Sequence, residues 1–345
     1  MGVLQETCDA IHSRSKEIEQ HIIKNWNDMS DIKQYGRLVD MVAQYGAATN
    51  QEIVTIPKPC MIIASADHGV ADMGVSAYPK ETTVGMTQNY LIPKGAGANS
   101  LANYCGAHME VIDMGIDADM SWVPGLRSHK LGMGTKNFVE EPAMTREQAI
   151  EGIETGIKLV QEKMADGYNV FLVGEMGISN TTASALMTAK FAGLTAEEAT
   201  GRGTNISDER LKLKQRIVHD VLVKYHDIPK NDAIGILAAV GGFEFTCIVG
   251  VILGAAANHG MVIIDGFNTS ACALVAKTLV PASMDYVMAS HLSAEKAAKS
   301  SLQNLGLEAY VDLGLCLGEA SGGSVQMGML DLAVCMYKSV IGGKA

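Results

Sequence analysis

Val170-Phe171-Leu172-Val173 runs directly into Gly174-Glu175-Met176-Gly177-Ile178-Ser179-Asn180-Thr181-Thr182. Four β-favouring apolar residues, a glycine-rich turn and then helix-capping residues spell strand, turn, helix. The same rhythm recurs from Pro57 onward. Met61 to Ser65, Met109 to Ile112, Met261 to Ile264 and Tyr286 to Ala289 are short apolar runs separated by amphipathic stretches. Strands alternating with helical crossovers predict an α/β chain whose core is a doubly wound, mostly parallel, Rossmann-like sheet. Several of the runs end in small polar turns, namely Ala66-Asp67-His68-Gly69, Asp113-Met114-Gly115 and Asp265-Gly266-Phe267-Asn268. Ligands of open α/β sheets sit outside the carboxyl ends of the strands, so these turns are expected to converge on one crevice.

Outside this core the periodicity changes. Val3 to Asn25 and Asp31 to Tyr45 have apolar residues at three- and four-residue spacing and read as two helices. After Ser293 the pattern is helix, then an apolar run from Val311 to Leu317, then a last helix from Gly322 to Ser339.

The chain has 345 residues, 48% of them apolar and 19% charged, enough for one large α/β unit or two domains. The apolar stretch around Val249 to Ala257 is interrupted by Gly250, Gly254 and Asn258 and falls short of the roughly 18 to 20 residues of a membrane span. With no apolar signal segment at the start, the expected location is the cytoplasm, with no membrane partner. Cys8, Cys60, Cys105, Cys247, Cys272, Cys316 and Cys335 are odd in number and scattered, and read as buried thiols in place of a disulfide framework or a zinc site. A net charge of -11 without a basic cluster argues against a nucleic-acid partner.

The turn from Gly174 to Thr182 can receive a phosphate or carboxylate on free N–H groups at a helix start, with Asn180 or Thr181 as cap; it reads equally as a tight capped turn with nothing bound. It matches neither the Walker pattern nor G-x-G-x-x-G, which weakens NTPase and dehydrogenase readings. Gly201-Arg202-Gly203-Thr204 is a second loop ahead of a helix beginning near Ser207, with Lys214 about two turns in; it suits a phosphoryl group or a plain surface loop. Glu319 closes the nearly uncharged run Leu313-Gly314-Leu315-Cys316-Leu317-Gly318, where burial would raise its pKa and fit it for a general base; the other reading is a carboxylate satisfied at a helix start. Glu175 is either its partner or a structural acceptor. His68, after a strand, reads as a structural histidine before a metal ligand.

Taken together, Ala66-Asp67-His68-Gly69-Val70, Gly74-Val75-Ser76-Ala77-Tyr78-Pro79, Gly174-Glu175-Met176-Gly177-Ile178, Gly201-Arg202-Gly203-Thr204, Gly241-Gly242-Phe243-Glu244, Asp265-Gly266-Phe267, Ala289-Ser290-His291 and Leu313-Gly314-Leu315 through Gly318-Glu319 resemble, in order from about residue 57 to 340, the nicotinate-nucleotide:dimethylbenzimidazole phosphoribosyltransferase family. The resemblance implies a small, mainly helical domain from residues 1–50 and 293–345, a large domain from 51–292, and a dimer. It implies transfer of 5-phosphoribosyl from nicotinate mononucleotide to an aromatic acceptor base of cobamides, of benzimidazole or phenolic type, with no cofactor and no metal. Glu319 matches the catalytic carboxylate. Glu175, Gly177, Ser179, Asn180, Thr181, Gly201, Arg202, Gly203 and Lys214 would hold the nucleotide, and Ser76, Tyr78 and Leu315 would lie near the acceptor.

The chain departs from the family pattern where Ser179 and Asn205 replace glycine and Ser207 replaces aspartate, and at Leu91 to Ser100 with Pro93 and Lys94. A side chain in place of glycine can forbid a positive φ or block close approach. Three readings follow: an active enzyme, alone as a homodimer; a drifted subunit of a heterodimer whose paralogue carries the site, as in relatives that activate phenol or p-cresol; and a nucleotide-binding or scaffold protein without chemistry.

Overall fold

The computed structural model describes residues 2–341; Met1 and residues 342–345, the end of the expected small domain, lie outside them. Six strands form one parallel sheet: β1 (Pro59–Ala66), β2 (His108–Gly115), β3 (Arg127–Ser128), β4 (Val170–Met176), β5 (Met261–Ile264) and β6 (Val287–Ala289). Their spatial order is β3-β2-β1-β4-β5-β6, the doubly wound arrangement expected. β1, β4, β5 and β6 are buried along their whole length, as apolar strands covered by helices on both faces must be. The winding reverses between β1 and β4, which pair in register with Ile63 opposite Gly174 and Ala64 opposite Glu175.

Helices α1 (Val3–Ala10), α2 (Lys16–Met29) and α3 (Arg37–Ala48) precede the sheet, and α4 (Thr82–Leu91) and α5 (Gly97–Tyr104) join β1 to β2. Helix α6 (Arg146–Ala165) leads into β4. The crossover to β5 holds α7 (Asn180–Ala192), α8 (Ala196–Ala199), α9 (Asp208–Lys224), α10 (Ala233–Val240) and α11 (Phe243–Ala257). Helix α12 (Phe267–Leu279) joins β5 to β6, followed by α13 (Ala298–Leu305) and α14 (Ser321–Ile341). Helix α11, apolar around its circumference and buried from Phe243 to Ala256, packs on α6 and the sheet, which accounts for the long apolar run in the sequence. Among the described residues no helix is long and apolar enough to cross a membrane.

The amino-terminal helices differ from expectation. The helix expected over Val3 to Asn25 is split: α1 ends at Ala10, and Ser15 starts α2 by accepting from the Ile18 N–H at 3.2 Å. Between them Arg14 is held by the Asp285 carbonyl at 3.3 Å. Helix α1 consequently packs on α6 and α11, whereas α2, α3 and α14 pack on one another, with Trp26 and Tyr337 rings 5.2 Å apart. The second expected helix opens as a 3-10 turn, Ile32–Tyr35, breaks at Gly36 with φ 51°, and continues as α3 to Ala48. Val311 to Leu317 takes no regular structure beyond one bridge between Val311 and His291, and most of it is exposed. The cysteines also depart from expectation: all are free, but only Cys60, Cys247 and Cys272 are buried, and Cys316 and Cys335 are exposed.

Candidate active site

The strand-end turns meet in a cleft of about 520 Å³ at the reversal of winding, a size that suits a small-molecule site. Its walls come from the segment after β1 (Val75, Ser76, Tyr78), α4 (Thr82, Met86), the turn after β4, the loop at Gly203 to Asn205, the ends of β5 and β6, and the segment Cys316 to Glu319.

One end is built from backbone. Gly177 lies so close to β1 that a Cβ there would stand 2.5 Å from the Ala66 carbonyl oxygen and 3.2 Å from the His68 ring. Beneath it His68 Nε2 and Glu244 Oε1 are 2.7 Å apart, both side chains fully buried, so the Asp67-His68 motif supports the floor of the cleft instead of lining it. Ser179 stands before α7 with φ 77°, a conformation that costs a side chain about 1–2 kcal/mol and is free to glycine. It makes no side-chain cap, contrary to the capping expected from Asn180 or Thr181. Those two side chains are engaged elsewhere: Asn180 Nδ2 donates to Glu175, and Thr181 Oγ1 accepts from Lys214 Nζ at 2.7 Å. Burial pushes the Lys214 ammonium down to about 8, against the pull of Glu295. Glu295 Oε1 in turn accepts the Gly203 N–H at 2.8 Å.

The other end carries carboxyl groups. Glu175 is the last residue but one of β4, and burial, with Glu244 and Asp265 adding repulsion, pushes its carboxyl up to about 8. Its Oε1 faces Gly318, where a Cβ would approach to 3.2 Å. Asn180 links it to Asn268, whose Nδ2 donates to Asn180 Oδ1 at 3.0 Å. Glu319 follows, with φ 60°, between Gly318 at 81° and Ala320 at 60°. Three successive left-handed residues, two of them not glycine, are a strained backbone of the kind that clusters at functional sites. Burial raises the Glu319 carboxyl above its ordinary range, and Asp265 adds to the rise. The strain is held from two sides. The Glu319–Ala320 backbone packs against Gly174 of β4, and Asp265 Oδ1 accepts the N–H groups of Gly322 at 2.6 Å and Gly323 at 3.2 Å at the start of α14. Ser290 donates to the Asp265 carbonyl at 2.7 Å, so in the 3.1 Å contact with His291 Nδ1 the imidazole is the donor.

Of the residues singled out in the sequence, Glu319, Glu175, Gly177, Ser179, Asn180, Thr181, Gly203, Ser76 and Tyr78 line this cleft. Lys214 lies one layer behind, through Thr181. Gly201 packs against the Glu295 carboxylate; Arg202 pairs with Asp208 and donates to the Ile206 carbonyl; Leu315 accepts from the Ala294 N–H at 2.9 Å. None of these three is among the lining residues. Met86, Asn268, His291, Ser293 and Glu295 line the cleft without having been singled out as site residues; Asn268 and His291 stood inside quoted motifs, whereas nothing local marks Met86 or Glu295.

In its sheet order and in the placing of its cleft, the chain has the build of an open α/β protein that takes a small molecule at its strand ends. Sequence and structure relatives narrow that class: the DBI_PRT phosphoribosyltransferase model matches residues 11–342, and the chain belongs to that family of enzymes. A nicotinate-nucleotide–dimethylbenzimidazole phosphoribosyltransferase of Geobacter metallireducens is 41% identical over 314 residues, 91% of this chain and 88% of that one. The protein of the same name from Chloroflexus aggregans is 41% identical over 298 residues, 86% of this chain and 84% of its own. The crystal structure of CobT from Thermus thermophilus superposes with a TM-score of 0.88 at 32% identity, covering 93% of this chain and 96% of that one.

Proposed function

We propose that this phosphoribosyltransferase moves the 5-phosphoribosyl group of nicotinate mononucleotide to an aromatic acceptor base of the cobamide lower-ligand type, releasing nicotinate. The observation that carries the reading is the strained, buried Glu319 across one cleft from a glycine turn backed by a buried lysine. The acceptor nitrogen attacks C1′ as the C1′–N bond to the pyridinium breaks and its electron pair stays on nicotinate nitrogen. That leaving group departs neutral at nitrogen and needs no acid. What accelerates the step is removal of the ring N–H proton from the acceptor, and the carboxylate of Glu319, whose hold on a proton burial strengthens, takes it. Glu175, whose carboxyl burial pushes up to about 8, lines the same cleft and accepts from Asn180. The turn Gly177 to Thr181, Gly203 and, through Thr181, Lys214 form the end suited to phosphate and carboxylate. Val75, Tyr78, Met86, Met176 and Leu317 supply an apolar slot for a planar ring.

The test is a direct one. The purified chain receives nicotinate mononucleotide with dimethylbenzimidazole or, separately, with phenol, and nicotinate release is followed. Release with either acceptor supports a self-sufficient transferase and identifies its acceptor class. A folded chain that stays silent, and acts only once a paralogous chain is added, overturns self-sufficiency in favour of a heterodimer.

A further inference from the structure

Helix α4 crosses between the two ends of the cleft and presents one face to it. Positions 83, 86, 87 and 90 fall on that face at three- and four-residue spacing. Thr83 Oγ1 accepts the Ile178 N–H at 3.2 Å, Met86 lines the cleft, Thr87 is buried, and Tyr90 is 1% exposed. The Tyr90 backbone is itself pinned, since its carbonyl accepts Asn99 Nδ2 at 2.9 Å. Its hydroxyl, however, is buried with no hydrogen-bond partner among the described residues. Buried hydroxyls without partners are uncommon and call for an explanation. The charged groups this one faces are the carboxyl of Glu319 and, secondarily, that of Glu175.

We propose that Tyr90 is a positioning residue: its hydroxyl donates to the carboxylate of Glu319 when that group is ionised and holds it aimed at the acceptor. The left-handed backbone at Glu319 fixes where the side chain starts, and one donor within reach fixes where it ends. The surrounding groups leave this role to Tyr90. From β4 comes Glu175 and from the end of β5 comes Asp265, both acidic; His291, beyond β6, is committed through Nδ1 to Ser290. Burial and Asp265 raise the Glu319 carboxyl, and Tyr90 acts in the opposite direction. Burial also raises the Tyr90 phenol well above its ordinary value, so it remains a donor throughout the working pH range.

The inference rests on reading Glu319 as the base, and the test separates the two. In protein labelled with carbon-13 at glutamate carboxyls, the Glu319 signal is identified by its loss in Glu319→Gln and titrated in wild type and in Tyr90→Phe. The expected result is that Tyr90→Phe, which keeps the ring, releases the Glu319 proton at higher pH than wild type. Turnover on the acid limb of the pH profile falls about tenfold and converges on wild type at high pH, as expected for loss of one hydrogen bond to a charged group. At low pH, where Glu319 holds its proton and the contact is not made, the melting temperature should not drop, because the hydroxyl then has no partner. An unmoved Glu319 titration in Tyr90→Phe overturns the proposal. A moved titration together with full turnover in Glu319→Gln keeps the Tyr90 contact and refutes the role of Glu319 instead.

Discussion

Gly174→Ala tests how the carboxylate is held, because it changes nothing that touches substrate. A Cβ at position 174 would stand 2.5 Å from the Ala320 nitrogen and 2.7 Å from the Glu319 carbonyl carbon. Both are backbone atoms, so no flexible side chain can give way. Ordinary contact begins at 3.4 Å, and 3.4 − 2.5 leaves 0.9 Å to be found. β4 cannot supply it, being paired with β1 on one side and β5 on the other. The Gly318–Ala320 segment must therefore retreat, carrying Glu319 with it. Overpacking of this kind costs about 1–3 kcal/mol, which lowers the melting temperature by several degrees. A displacement near 1 Å at a reacting group costs about 100-fold in rate. The expected outcome is turnover reduced about 100-fold with nucleotide affinity, read by isothermal titration with nicotinate mononucleotide, nearly unchanged. Turnover within about twofold of wild type in a folded Gly174→Ala protein would refute the claim that this contact sets the position of Glu319.

Glu319→Gln should keep nucleotide binding and lose most turnover across the pH range; retention of turnover removes it as the base. Ser179→Gly relieves a left-handed serine at φ 77°. It should stabilise the fold by about 0.5–1 kcal/mol in urea unfolding, the left-handed cost less the extra freedom of glycine in the unfolded chain, and a loss of stability would mean that the serine hydroxyl holds something in place. Glu175→Gln tests the raised carboxyl. A group whose folded pKa is about 8 against an ordinary 4.5 binds its proton more tightly when folded, so its contribution is complete at pH 4 and drains away as pH rises to 8. The variant, compared with wild type by urea midpoint from pH 5 to 8.5, should lose that downward slope, whose upper bound is roughly 5 kcal/mol; parallel curves would show that Glu175 ionises normally.

Much of the fold was legible because parallel strands buried on both faces have to be largely apolar, and β1, β4 and β5 stand out for that reason. β3 was not legible: an edge strand of two residues, Arg127 and Ser128, has no apolar pattern to detect. The break before α2 depends on Arg14 reaching Asp285, far away in sequence, and no local signal announces it. At the site, the rule that ligands gather at strand ends located Glu175, Ser179 and Asn180. The resemblance also pointed to Arg202, whose guanidinium is taken by Asp208, and to Leu315, in an irregular segment; neither is among the residues that line the cleft. Tyr90 and Glu295 were missed because each matters through a partner more than 90 residues away in sequence, Glu319 for Tyr90 and Gly203 for Glu295.

Asp265, by accepting both N–H groups at the head of α14, has a consequence for how the molecule is made. Everything that would hold the nucleotide, from Gly177 to Lys214, leaves the ribosome well before Glu319 and the helix that anchors it. All six strands, the last of them ending at Ala289, also precede Glu319 in the chain. Docking of the final helix onto Asp265 is therefore the step that carries Glu319 to the cleft, and on the function proposed above it is the last part of the site to be set in place.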